Sequence, residues 1–79
     1  MIPERLSKLT DVFRTIFNMP DLELNRDMTA KDVPGWDSFN HINLVIMIEE
    51  EFETRFTTDE ITDLQNVGDM MDLIDRKLS

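Results

Sequence analysis

The chain has 79 residues, of which 17 are acidic and 8 basic for a formal net charge of -9, with 41% hydrophobic residues, one histidine and no cysteine. So short a chain builds one small core that buries only about 60% of the unfolded surface, which excludes a multi-domain enzyme. Disulfides, thiolate chemistry and cysteine or histidine metal clusters are ruled out by composition, and the negative field repels phosphate backbones and anionic lipids while favouring partners with basic patches.

A single domain over residues 1–79 is expected, soluble, cytoplasmic and monomeric. The start Met1-Ile2-Pro3-Glu4-Arg5 lacks the basic-then-apolar layout of a signal peptide. No apolar run approaches the roughly 20 residues that span a bilayer.

Leu6, Leu9, Val12, Phe13, Ile16 and Phe17 recur at spacings of three and four, one stripe of an amphipathic helix that Pro3 can begin and Pro20 lies beyond. From Asn18 to Trp36 the periodicity fails, and Pro20, Pro34 and Gly35 mark a long loop. Loops of that length in small domains are often functional. The next segment, Asn40 to Phe52, has no Gly or Pro and spans about four turns of helix. Its apolar residues cover most of its circumference, which predicts a central helix touched by several neighbours. Thr57 to Leu64 reads as a short helix capped by Thr58, with Ile61 and Leu64 inward. Asn66 can cap a last helix whose apolar set is Val67, Met70, Met71, Ile74 and Leu78, weakened at Gly68 by about 1 kcal/mol. The expected fold is all-α, a small four-helix bundle of three main helices and one short one, with a long loop between the first and second.

Gly35-Trp36-Asp37-Ser38-Phe39 places one serine where the loop becomes the second helix, in its first turn or at its cap. Taken alone, Ser38 is an ordinary cap worth roughly 1 kcal/mol. Asp37-Ser38-Phe39, followed by Leu44-Val45 and then Glu49-Glu50-Glu51-Phe52, resembles the acyl carrier protein family, whose motif is Asp-Ser-Leu with an acidic run and a Phe at this distance. In layout the resemblance covers nearly the whole chain; its specific part is Gly35 to about Phe56.

The resemblance implies a carrier, not an enzyme, with 4'-phosphopantetheine from coenzyme A attached to Ser38 by a magnesium-dependent phosphopantetheinyl transferase. The arm would hold acyl or related groups as thioesters for loading and processing enzymes with basic docking patches. A phosphodiester on Ser38 would lie beside free N–H groups and the positive end of the helix dipole. With no thiol of its own, the chain can carry a thioester only on a prosthetic one.

Partner docking falls on Asp37, Phe39, Ile46, Glu49 and Glu50. Asp37 caps the helix or helps orient the transferase. Phe39 replaces the family's usual Leu and offers a bulkier apolar contact. Ile46 lies on the same side about two turns on, for docking or core packing. Glu49, Glu50, Glu51 and Glu53 form a solvated acidic face that by resemblance meets Arg and Lys on partners. Asn40, His41 and Asn43 leave the first half of this helix without the carboxylates that many fatty acid synthesis carriers have there, which points to a specialised member. His41 is expected to face solvent, Trp36 to plug the loop, and the methionines to fill gaps, or else to admit a short acyl chain.

Three rivals remain to be weighed. Residues Asp21 to Asp32 faintly resemble a calcium loop, but Arg26 stands where the turn glycine belongs. Serine hydrolysis fails because the one histidine lacks an obvious orienting group or oxyanion hole. The alternative to a carrier is an unmodified acidic helical adaptor.

Overall fold

In the computed structural model, which describes residues 1–79, four helices follow one another with no strand: α1 (Pro3–Phe17), α2 (Ser38–Phe52), α3 (Thr58–Thr62) and α4 (Val67–Leu78). Pro3 opens α1, where its fixed φ and missing N–H cost nothing. Asn18 closes it in the left-handed region at φ 52°, donating its N–H to the Arg14 carbonyl. Leu9, Val12 and Phe13 are buried, and Leu6, Ile16 and Phe17 pack against the same core, so the sequence stripe is the buried face.

α2 buries Leu44, Val45, Ile48 and Phe52. It is not enclosed on all sides, as its composition predicts. Phe39, Ile42 and Ile46 stand 75%, 52% and 48% exposed. A chain of this size has too few elements to surround a helix, so its second apolar stripe is left facing solvent.

The cap of α3 is Thr57, not Thr58. Thr57 Oγ1 accepts the Glu60 N–H at 3.1 Å while Glu60 Oε1 accepts the Thr57 N–H at 2.8 Å. Both threonines can cap, but only Thr57 has a glutamate three positions on to complete the reciprocal pair. Lys77 Nζ lies 2.8 Å from the same Glu60 oxygen. That hydrogen bond, then the one from the Thr57 N–H, holds the Glu60 carboxyl below its ordinary range. None of the residues of α3 is fully buried.

Asn66 caps α4 as expected, its side chain accepting the Asp69 N–H at 2.7 Å. Val67, Met70, Met71, Leu73 and Ile74 are buried, with Leu78 at the margin. Leu73 is buried although it lies outside the stripe read from sequence.

The long loop is a structural element in its own right. Leu22, Met28, Val33 and Trp36 are buried in the common core. Arg14 Nε donates to the Leu22 carbonyl at 2.7 Å, and the Val67 and Gly68 N–H groups donate to the Met28 and Arg26 carbonyls, each at 2.9 Å. The loop thus satisfies orphan amides at the start of α4.

This accounts for Gly68. A Cβ there would sit 3.0 Å from the Arg26 carbonyl oxygen and 3.1 Å from Arg26 Cβ. The glycine lets the loop backbone close on the helix. Gly68→Ala should therefore lower the melting temperature although Ala gains about 1 kcal/mol of helix propensity; a rise on thermal unfolding would show that the loop yields freely.

Candidate functional site

The site is set by how the loop enters α2. Gly35 adopts φ +90°, a conformation that favours glycine, and turns the chain so that Trp36 drops into the core. The indole meets Phe13 edge-on, ring centres 5.4 Å apart at 83°, and lies 6.1 Å from Phe17. Trp36 is the plug that the sequence implied. Asn40 Nδ2 reaches back to the Gly35 carbonyl at 2.7 Å and locks the turn from the helix side.

Asp37, not Ser38, is the cap: its Oδ1 accepts the Asn40 N–H at 2.8 Å. Ser38 is the first helical residue, exposed, with no hydrogen bond from its hydroxyl. The N–H groups of Ser38 and Phe39 are likewise without partners in the fold. An exposed hydroxyl beside two free donors at the positive end of a helix dipole accommodates an anion.

Next to Ser38 opens a groove of about 480 Å³ between the loop, the start of α2, and α3. Trp36, His41, Ile42, Ile61 and Leu64 form much of its wall, and Thr62 and Gln65 add polar groups. An exposed serine at the mouth of a mixed apolar and polar groove suits a long, flexible, partly polar substituent.

His41 does not stand free in solvent but is half-buried, its ring held from two sides. Trp36 Nε1 donates to its Nδ1 at 3.1 Å, and its Nε2 lies 3.4 Å from the Ile61 carbonyl. Because an indole N–H only donates, Nδ1 must be the bare nitrogen and Nε2 must carry the proton. Both nitrogens are therefore engaged away from Ser38. No side chain hydrogen-bonds the Ser38 hydroxyl, so the fold supplies no base paired with it. The sequence signal for this role was weak: a tryptophan five residues before a histidine meets it only because of the intervening turn.

The residues expected to dock partners separate into two groups along α2. Phe39 and Ile46 are exposed on one face, with Ile42 between them at spacings of three and four. Ile42 went unread in the sequence, although that spacing is its signal. Farther along, Glu50, Glu51 and Glu53 are exposed, whereas Glu49 is half-buried and its Oε2 accepts the Phe56 N–H at 2.8 Å. Glu49 therefore holds the turn after α2 in addition to carrying charge. From Ser38 to Ile48 the helix has no charged residue apart from what His41 can acquire.

Comparison with known proteins places this arrangement. A family model described as a phosphopantetheine attachment site matches residues 7–74. Curated acyl carrier proteins of Acidothermus cellulolyticus and Porphyromonas gingivalis are 28% and 27% identical, each over 90% of this chain and over 84% and 91% of their own lengths. A solution structure of holo acyl carrier protein from Geobacter metallireducens superposes with a TM-score of 0.85 at 40% identity, covering 92% of this chain and 84% of its own.

Proposed function

Because the chain belongs to the phosphopantetheine attachment family, as an acyl carrier protein, we propose that Ser38 is the residue that receives the 4'-phosphopantetheine arm. The single observation that carries this is the position of Ser38: first in α2, exposed, and spared from capping by Asp37. When attached, the arm supplies a thiol on which an acyl or related group is held as a thioester.

The chain's own residues do the rest. The unpartnered N–H groups of Ser38 and Phe39 face the phosphodiester's charge, the Asp37 cap fixes the direction of the helix, and the groove beside Ser38 offers the arm a surface to lie against. Residues 1–79 act as one carrier unit visiting its partners in the cytoplasm. No helix is long and apolar enough to cross a membrane.

Partners would be the transferase and the enzymes that load and process the cargo. Phe39, Ile42 and Ile46 present an apolar strip beginning beside the serine and rising about 10 Å along the axis. Asp37 lies at one end of that strip, Glu49 and Glu50 at the other. Beside the serine the contacts are thus Asp37 and the apolar Phe39, and the remaining ionic contacts, Glu49 and Glu50, lie at the far end of the strip.

The test is intact mass after incubation with coenzyme A, magnesium and a broad-specificity transferase: one phosphopantetheine addition is expected. Failure with several transferases would favour the unmodified adaptor. The docking strip has its own readout in kcat/KM for this modification. Phe39→Ala should lower it about tenfold, an ordinary loss for a buried anchor, equally at low and moderate salt. Glu50→Gln should lower it at low salt only, because exposed charge pairs are screened. A Phe39→Ala defect that salt abolishes would refute the apolar contact.

A further inference from the structure

His41 joins three elements that otherwise meet only around the groove. It is rooted in α2, it accepts from Trp36 in the loop, and it reaches the Ile61 carbonyl in α3. The two rings lie within 19° of parallel with centres 6.2 Å apart. That separation is too wide for face-to-face stacking and fits rings joined edge to edge by the 3.1 Å N–H···N bond.

α3 is weakly held apart from this link. It is five residues long with no buried side chain; the Thr57–Glu60 cap and the Glu60–Lys77 pair hold its first turn, and Phe56 and Leu64 on either side of it pack against the core. The C-terminal end of α3, which walls the groove, has the Ile61 carbonyl as its bond to His41. The same carbonyl accepts the Leu64 N–H at 3.3 Å, so the turn that leaves α3 is anchored at this point.

We infer that His41 is a positioning residue for the groove beside Ser38: a clasp that holds α3 against the loop when its ring is neutral and lets go when the ring takes a second proton. The reason is donor and acceptor inventory. A neutral imidazole can accept from Trp36 and donate to Ile61 at once; an imidazolium has two donors and no acceptor, so two N–H groups would confront each other across the 3.1 Å contact. Among the groups around the ring, the loop contributes Trp36 and Ala30, α3 and the turn after it contribute Ile61, Thr62, Leu64 and Gln65, and α2 contributes Ile42 and Ser38. The titratable group among the lining residues besides His41 is Asp37. The clasp is therefore closed while the ring is neutral and open once both its nitrogens carry protons. Its release frees the far wall of the groove and leaves Trp36 held by its packing on Phe13 and Phe17.

The clasp does not depend on the reading of Ser38, and the unmodified protein tests it. Two quantities are followed by NMR against pH: the indole N–H resonance of Trp36, the only tryptophan, and the hydrogen-exchange protection factors of the Ile61, Asp63 and Leu64 amides. As pH falls, the indole resonance should move through one transition, and protection in α3 should drop about fivefold, as expected for one lost hydrogen bond. Protection of the core amides of α1 and α4 should stay unchanged. His41→Gln, which offers a neutral acceptor and donor that cannot titrate, should keep the clasp closed throughout. His41→Phe, with neither, should leave α3 loosely protected at every pH. The inference is overturned if wild-type α3 protection is independent of pH while the core holds, or if His41→Gln follows the wild-type profile. Should His41→Phe fail to fold, the comparison of wild type with His41→Gln decides alone.

Discussion

Ser38→Ala should abolish attachment completely and leave stability almost untouched. The two halves of that expectation come from separate observations. Attachment needs the hydroxyl, and Ser38 is the serine at the start of α2, next to the groove. Stability does not need it, because the Ser38 hydroxyl makes no hydrogen bond and Asp37 caps the helix. A change within about 0.5 kcal/mol is expected for such a surface position. Asp37→Ala should behave oppositely, costing about 1 kcal/mol as a lost cap while still accepting the arm, at a rate that reports any role in orienting the transferase. Intact mass and chemical denaturation of the two variants together separate attachment from capping. If Ser38→Ala still gains one phosphopantetheine, the site lies elsewhere; if it loses about 1 kcal/mol, the serine is a cap after all.

Phe13→Ala should produce the largest loss of stability, about 3–5 kcal/mol, the usual cost of removing a buried aromatic ring. Phe13 is fully buried and sits between Phe17, 5.8 Å away, and Trp36, 5.4 Å away. At about 0.05–0.15 kcal/mol per residue, a chain of this length has roughly 4–12 kcal/mol in total, so the variant should lose from about a quarter to all of its stability. The consequence reaches the site, because the ring that supports Trp36 also supports the turn into Ser38. At low temperature, where the variant keeps its helices by circular dichroism, the Trp36 emission should shift to the red and modification of Ser38 should slow. A denaturation midpoint corresponding to less than 1 kcal/mol of loss would mean that the aromatic cluster does not organise the loop.

Much of the site was legible because it is local. A serine before a long run without Gly or Pro must lie near a helix start, and three apolar residues at helical spacing on that run must share a face. The resemblance read from Asp37-Ser38-Phe39 and the acidic run downstream agrees with the family match across residues 7–74. The choice of Thr57 over Thr58 was local as well, set by Glu60 three positions on, and Lys77 adds the one distant contact there. Other features depended on contacts between distant segments. Gly68 reads as a helix defect until the Arg26 carbonyl is seen against it. His41 reads as a surface residue until Trp36 and Ile61 arrive on either side of it.

By itself, then, the sequence determined the four helices, the acidic surface and the place of Ser38 at a helix start, since periodicity, capping chemistry and net charge are properties of neighbours along the chain. Tertiary structure alone decided that the unpatterned loop supplies Leu22, Met28, Val33 and Trp36 to the core, which face of α2 remains open to partners, and that His41 bridges loop and helix beside Ser38. The physical reason is the same in each case: burial and hydrogen-bond pairing are satisfied by whichever groups the fold brings together, and a loop without periodicity gives no advance sign of which groups those will be.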